Sequence, residues 1–234
     1  MRDKSILITG ANGGLGSAFL DALIELGISK IYACARDKKT LAKYENHSNI
    51  VILELDICDK NSIDSCVQNI DSLDILINNA GLNKNERLNG DFSEIDVNLF
   101  GTINLTSALM PKLQHKDAKI VNISSILALI NLPIMANYSI SKAALHSYTQ
   151  ALRAEMALFD AEVYEVLAGP IDTRLSADSP MPKAQPSDIV KATLQSIQNK
   201  NFEIYPDEFA INLREGLLAD PIGVERDIAL SIRG

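Results

Sequence analysis

The chain holds only three cysteines, Cys34, Cys58 and Cys66, and none sits in C-x-x-C spacing. An odd number without paired spacing argues against a disulfide framework and for reduced thiols in a cytoplasmic protein. Cys34 lies in an apolar run and reads as a small core residue. Histidine is equally scarce: His47, His115 and His146 have no metal-ligand spacing, so no metal is expected. No apolar segment approaches the ~20 residues that cross a bilayer. The run Ile6-Leu7-Ile8 behind Arg2 and Lys4 is too short for a signal peptide. Positive charge is in deficit, with 22 Lys+Arg against 30 Asp+Glu and a net charge of −8. That argues against nucleic acid or an anionic membrane as partner, and still allows a local basic pocket. Repeats, low-complexity tracts and linkers are missing too. The 234 residues, 47% hydrophobic and 22% charged, therefore read as one globular domain over 1–234.

What is present is an alternation of short apolar runs with helical patterns. Ser5 to Thr9, Ile31 to Ala35, Ile50 to Leu55, Leu73 to Ile77, Lys119 to Ser125, Val163 to Leu167 and Glu203 to Tyr205 read as seven strands. Leu15, Phe19, Leu20, Leu23 and Leu26 recur at helical spacing before Gly27. Longer helices are expected over 92–114, with a kink near Pro111, and over 137–159. Strand–helix alternation implies right-handed βαβ units: an α/β, doubly wound domain of the Rossmann type, with a mostly parallel seven-stranded sheet flanked by helices.

Two stretches carry chemistry. Gly10, Gly13, Gly14 and Gly16 fall between the first strand and the first helix, in the run Thr9-Gly10-Ala11-Asn12-Gly13-Gly14-Leu15-Gly16. Glycines there let backbone approach a pyrophosphate at a helix N-terminus. The spacing is neither G-x-G-x-x-G nor a Walker A loop. The second stretch is Tyr138-Ser139-Ile140-Ser141-Lys142, with Ser125 ahead of it. Residues four apart share a helix face, so Tyr138 and Lys142 are expected to point the same way, towards a hydroxyl at a strand end. A cation near a phenol lowers its pKa from about 10 and makes it a proton-transfer group. The plainer reading is a core-anchoring tyrosine beside a solvated lysine. A serine hydrolase is disfavoured, because G-x-S-x-G is lacking and no histidine lies in a supporting motif.

Taken together, these motifs resemble the short-chain dehydrogenase/reductase family. Thr9-Gly10 through Gly16 matches its T-G-x-x-x-G-x-G turn, and Asp56-Ile57 its adenine-contacting pair. Asn78-Asn79-Ala80-Gly81 matches its N-N-A-G motif, and Asn98 its catalytic-site asparagine. Ser125, Tyr138 and Lys142 match its Ser-Tyr-Lys set, and Gly169-Pro170-Ile171-Asp172-Thr173 its nicotinamide-holding segment. Ala168 departs from the usual Pro, and Ala128 stands where Gly is common.

The resemblance implies hydride transfer between a nicotinamide and a small or medium carbonyl or alcohol substrate. It makes Asn98, Ser125, Tyr138 and Lys142 catalytic. It assigns cofactor contacts to Gly10, Asn12, Gly13, Gly14, Leu15, Gly16, Arg36, Asp56, Ile57, Asn79, Ala80, Gly81, Tyr138, Lys142, Ile171 and Thr173. Lys142 is expected to depress the Tyr138 pKa and bind the nicotinamide ribose, and Asn98 to hold a water beside it. An NAD enzyme places an acid at the end of the second strand. Here that position is Ala35, followed by Arg36, which implies NADP in preference to NAD. The competing register makes Asp37 the acid.

Residues 126–130 could wall an apolar pocket, and the polar loop 82–91 its rim. Residues 174–187, with Pro180, Pro182 and Pro186, read as a mobile flap. By resemblance the helices bearing Asn98 and Tyr138 meet in a homodimer or homotetramer. Ala143, Ala144, Ala151, Ala154 and Ala157 permit close approach there. Other readings are a non-catalytic cofactor-sensing protein on the same fold and an NAD-dependent alcohol or sterol dehydrogenase.

Overall fold

The structure, a computed structural model, describes residues 2–177 and 181–231. The strands are β1 (Ser5–Ile8), β2 (Lys30–Ala35), β3 (Ile50–Glu54), β4 (Ile75–Asn78), β5 (Lys119–Ile123), β6 (Glu162–Val166) and β7 (Glu203–Ile204). They form one sheet in the order β3-β2-β1-β4-β5-β6-β7, and every pairing is parallel. The chain reverses direction across the sheet between β1 and β4, so their carboxyl ends flank the crevice where such sheets bind ligands.

Both faces of the sheet are covered, and alternation along each strand decides which residue faces which layer. Ile6, Ile8, Ile31, Ala33, Ile75, Ile77, Val121, Tyr164 and Val166 belong to one apolar layer. Leu7, Tyr32, Cys34, Leu76, Ile120 and Val163 belong to the other. Helices α1 (Gly14–Glu25) and α6 (Pro186–Gln198) close the first layer. The second is closed by α2 (Lys60–Gln68), α4 (Thr102–Leu113) and α5 (Ala136–Ala157). A short α3 (Ser93–Ile95) precedes α4, and α7 (Glu208–Ala219) and α8 (Pro221–Ser231) end the chain. Each buried Leu or Ile contributes about 1.5–3 kcal/mol.

Several boundaries differ from those read off the sequence. Ser125 lies beyond β5, capping a 3-10 turn over Ile126–Ala128, with its Oγ accepting from Leu127 N at 3.2 Å. The helical stretch before Gln114 departs from α geometry over Asp96–Gly101, a π-helical turn, while Pro111 sits inside α4. Of the expected flap, Arg174–Ser176 form a 3-10 turn and Pro186 opens α6. Ala184 pairs with Ile171, its N–H donating to Pro170 O at 2.9 Å and its carbonyl accepting from Asp172 N at 2.8 Å. That backbone pairing fixes the end of the segment. Pro180, with residues 178 and 179, lies outside the described residues.

The first βα turn has little room to vary. Gly10 has a φ of +62°, the left-handed region that glycine enters without strain. A Cβ on Gly16 would lie 2.3 Å from Gly10 O, because α1 packs directly on the turn. Gly16→Ala is therefore expected to cost about 1–3 kcal/mol, as overpacking does. Chemical denaturation should show a lower midpoint with an unchanged m-value. An unchanged midpoint would show that the turn can open at no cost.

Candidate active site

The carboxyl edge of the sheet opens into a cleft of about 930 Å³. One end is built by the glycine turn, and that turn is clamped to β4. Thr9 Oγ1 accepts from Asn79 N and Ala80 N, each at 2.9 Å. In return Asn79 Nδ2 donates to Thr9 O at 2.9 Å and Gly10 O at 3.1 Å. No side chain caps α1 at Gly13, and Gly14, Leu15 and Gly16 line the cleft. The helix thus offers its first N–H groups and the positive end of its dipole to an anion.

At the β2 end, Ala35 and Arg36 line the cleft. Among the described residues no ion-pair partner is found for the Arg36 guanidinium. Asp37 is turned away: its Oδ1 accepts from Lys39 N at 3.0 Å and caps the next turn. Asp56 and Ile57 form the adjoining wall. Asp56 Oδ1 accepts from Cys58 N at 2.9 Å.

The other end of the cleft gathers Ser125, Tyr138 and Lys142. Tyr138 and Lys142 project from one face of α5, with Lys142 Nζ 5.6 Å from the Tyr138 ring centre. Lys142 is 4% exposed, and its ammonium donates to Ile123 O at 2.8 Å. Burial pulls its pKa down to about 8, and the Glu165 carboxylate partly offsets that fall. Burial likewise pushes Tyr138 up to about 12, against a hydrogen bond from Ser125 that favours the phenolate and with Glu94 adding to the rise. The expected depression by Lys142 is therefore not what governs this phenol. Desolvation of the phenolate wins, and Tyr138 stands as a neutral O–H donor.

Asn98 is not on the cleft wall. It is 1% exposed, in the π-helical turn, and spends both amide donors: on Leu82 O at 2.8 Å and Ser141 Oγ at 2.9 Å. Its Oδ1 accepts from Leu82 N at 2.7 Å. The Asn98 side chain is thus a tie between the 82–91 loop and α5. That loop is further fastened where Lys84 N donates to Glu94 Oε1 at 2.8 Å and Asn137 Nδ2 to Asp91 O at 2.7 Å.

Of the expected apolar wall, Ile126 and Leu127 line the cleft; Ala128, Leu129 and Ile130 do not. Leu132, Met135 and Met181 join them, as do Phe209 and Leu213 of α7 and Ile228 of α8. The contribution of α7 and α8 had no sequence motif behind it. Neither did Asp207, whose Oδ2 accepts from Gly169 N at 2.8 Å while Oδ1 caps α7 through Ala210 N. This anchor holds the loop after β6 where Ala168 replaces the usual proline. All the remaining expected cofactor contacts, from Gly10 and Asn12 to Ala80, Gly81, Ile171 and Thr173, line the same cleft.

The sequence model of the short chain dehydrogenases matches residues 4–183, so this chain belongs to the short-chain dehydrogenase/reductase family. A short chain dehydrogenase from Burkholderia cenocepacia J2315, solved in complex with NADP, is 35% identical. It superposes with a TM-score of 0.92 over 97% of this chain and 98% of its own. A dehydrogenase/reductase SDR family protein 7-like of Anopheles gambiae is 33% identical over 76% of this chain, which spans 62% of that relative's length. A short chain dehydrogenase/reductase from Burkholderia phymatum, solved with NAD, is 20% identical. Its TM-score of 0.81, over 93% of this chain and 95% of its own, shows the shared fold. The chain is thus an oxidoreductase of the family that uses a nicotinamide cofactor.

A neutral Tyr138 is open to measurement. In the difference between the alkaline ultraviolet titrations of wild type and Tyr138→Phe, no phenolate band is expected below about pH 10. A band near pH 7 would mean that Lys142 outweighs burial after all.

Proposed function

We propose that the protein is an NADPH-dependent reductase of small or medium carbonyl compounds. One observation carries the reading: a single cleft joins the uncapped α1 and Arg36 at one end to Ser125, Tyr138 and Lys142 at the other. The residues present fit a phosphorylated dinucleotide: an uncapped helix end suits an anion, and a guanidinium fork with no ion-pair partner among the described residues suits a phosphate. Gly10 to Gly16 would hold the pyrophosphate, Asp56 and Ile57 the adenine, Lys142 the ribose, and Ile171 and Thr173 the nicotinamide end. When bound, such a cofactor supplies the hydride.

The chain's part in the reaction is the proton. Reduction adds a hydride to the carbonyl carbon and a proton to its oxygen. Tyr138 donates that proton, and Ser125 donates a hydrogen bond to the same oxygen as negative charge builds on it. Lys142 holds positive charge beside the developing phenolate. Asn98 acts from behind, fixing α5 against the loop at Leu82. Leu127, Leu132, Met135, Phe209 and Leu213 favour an uncharged, apolar substrate. The reading includes assembly into a homodimer or homotetramer through α4 and α5. Its support is the exposed row of Ala143, Ala151, Ala154 and Ala157 on α5, small side chains that let a second helix approach closely.

Oxidation of an alcohol by the same groups is the second reading, with Tyr138 taking the proton that it gives in reduction. Tyr138→Phe is expected to abolish nearly all NADPH oxidation with a panel of aldehydes, ketones and quinones, with cofactor affinity changed by no more than a few fold. Lys142→Ala should weaken both. Full turnover in Tyr138→Phe would remove the proton-donor role.

For the cofactor, kcat/KM should favour NADPH over NADH by at least about tenfold. A charge-assisted hydrogen bond of about 1.5–3 kcal/mol is worth that ratio. Arg36→Ala should erase most of the lead. A wild type that prefers NADH would transfer the ribose-facing role to Asp37.

A further inference from the structure

Behind Lys142 lies a buried acid that the proposed chemistry does not use. Glu165 is on β6, in register with Asn122 of β5 and Glu203 of β7, and Asn122 in turn pairs with Asn78 of β4. By strand alternation these side chains face α4 and α5, as Val163 does. Asn78 Nδ2 donates to Thr106 Oγ1 and to Asn122 Oδ1, and Asn122 Nδ2 donates to Thr149 Oγ1. Glu165, with 0% of its side chain exposed, is held differently: His146 Nδ1–H donates to its Oε2 at 2.7 Å. His146 Nε2 accepts from Gln150 Nε2 at 3.0 Å. Tyr138, Lys142, His146 and Gln150 are spaced four apart, so the proton donor, the ammonium and the clasp on Glu165 form one column on α5.

Among the described residues Glu165 Oε1 finds no hydrogen-bond partner, and neither does the buried Ser124 Oγ, although that hydroxyl is close enough to act on the carboxylate. Ser124 adjoins Ile123, whose carbonyl holds Lys142 Nζ at 2.8 Å. A buried carboxyl with one unfilled oxygen is therefore clasped by His146, one turn along α5 from the buried ammonium of Lys142. A buried, unpaired charge is costly, whereas two opposite ones offset each other.

We propose that Glu165, clasped by His146, is the counter-ion that keeps Lys142 charged, and so is a positioning residue for the reaction. The inference rests on the role given to Lys142 above. The surrounding charges are few. Glu165 meets His146 from α5 and the like charge of Glu203 from β7, with the Ser124 hydroxyl from β5. Lys142 meets Glu165 from β6 and Tyr138 from its own helix. Burial raises the pKa of Glu165 and lowers that of Lys142, to about 8, and Glu165 limits the fall. The sign follows: with the carboxylate removed, Lys142 gives up its proton at lower pH, and whatever needs the ammonium is lost earlier as pH rises.

The test is NADPH affinity of the whole chain between pH 6.5 and 9.5, read by nicotinamide fluorescence, so that no substrate is needed. In Glu165→Gln the loss of affinity should begin at lower pH than in wild type. At pH 8 the variant should bind about fivefold more weakly, and the gap should narrow towards pH 6.5. Glu165→Asp should restore most of the wild-type profile. His146→Leu, which removes the donor and lets Glu165 take up a proton, should move the curve the same way as Glu165→Gln. It serves if Glu165→Gln does not fold.

Profiles that superimpose, or that differ by the same factor at every pH, overturn the counter-ion role; the second result would make Glu165 a packing residue. The kcat/KM profile, taken beside Tyr138→Phe, separates the two levels. An active Tyr138→Phe sinks the proposed proton transfer, while the binding profiles decide on Glu165 by themselves.

Discussion

All seven strands run parallel, so all their carboxyl ends emerge at one edge of the sheet, and the cleft opens along that edge. A parallel sheet buries both faces under helices, which leaves its strand ends as the place where irregular backbone can meet a ligand. The glycine turn follows β1, Arg36 follows β2, Asp56 follows β3, Asn79 follows β4 and Ser125 follows β5. No single helix could bring such distant residues together. The sheet does so because its register is fixed by two apolar layers, and slipping one strand by a residue would exchange them.

The cleft is then made rigid by hydrogen bonds that cross between these ends. Thr9 and Asn79 lock the first turn to β4, Asn98 locks the loop at Leu82 to α5, and Asp207 locks the loop after β6 to α7. Each such bond nets about 1 kcal/mol, but leaving any of these buried groups unpaired costs more. Residues that a motif marks as functional are therefore also structural. Asn98 and Asn79 hold backbone, and they position neighbours that face the cleft.

Electrostatics inside this frame are ruled by desolvation. Lys142 and Tyr138 both move towards their neutral forms, in opposite pKa directions, because both lose water. A lysine four residues from a tyrosine does not by itself make a phenolate. The outcome depends on which charges share the pocket, and here Glu165 acts on Lys142 while Glu94 acts on Tyr138.

The amino-acid sequence alone determined the layer structure and the strand count, through alternating burial along strands, helical spacing, and glycines where backbone must turn or come close. Its family motifs pointed to the cofactor side of the cleft lining. It also set Tyr138 and Lys142 on one helix face, since four residues are close to one turn. The π-helical turn at Asn98 and the entry of Phe209, Leu213 and Ile228 into the cleft were decided by tertiary structure. So was the meeting of Glu165 with His146 and Lys142. These depend on contacts between residues far apart in the chain, and on how much water each group loses when the helices close over the sheet. Neither quantity is written in local spacing.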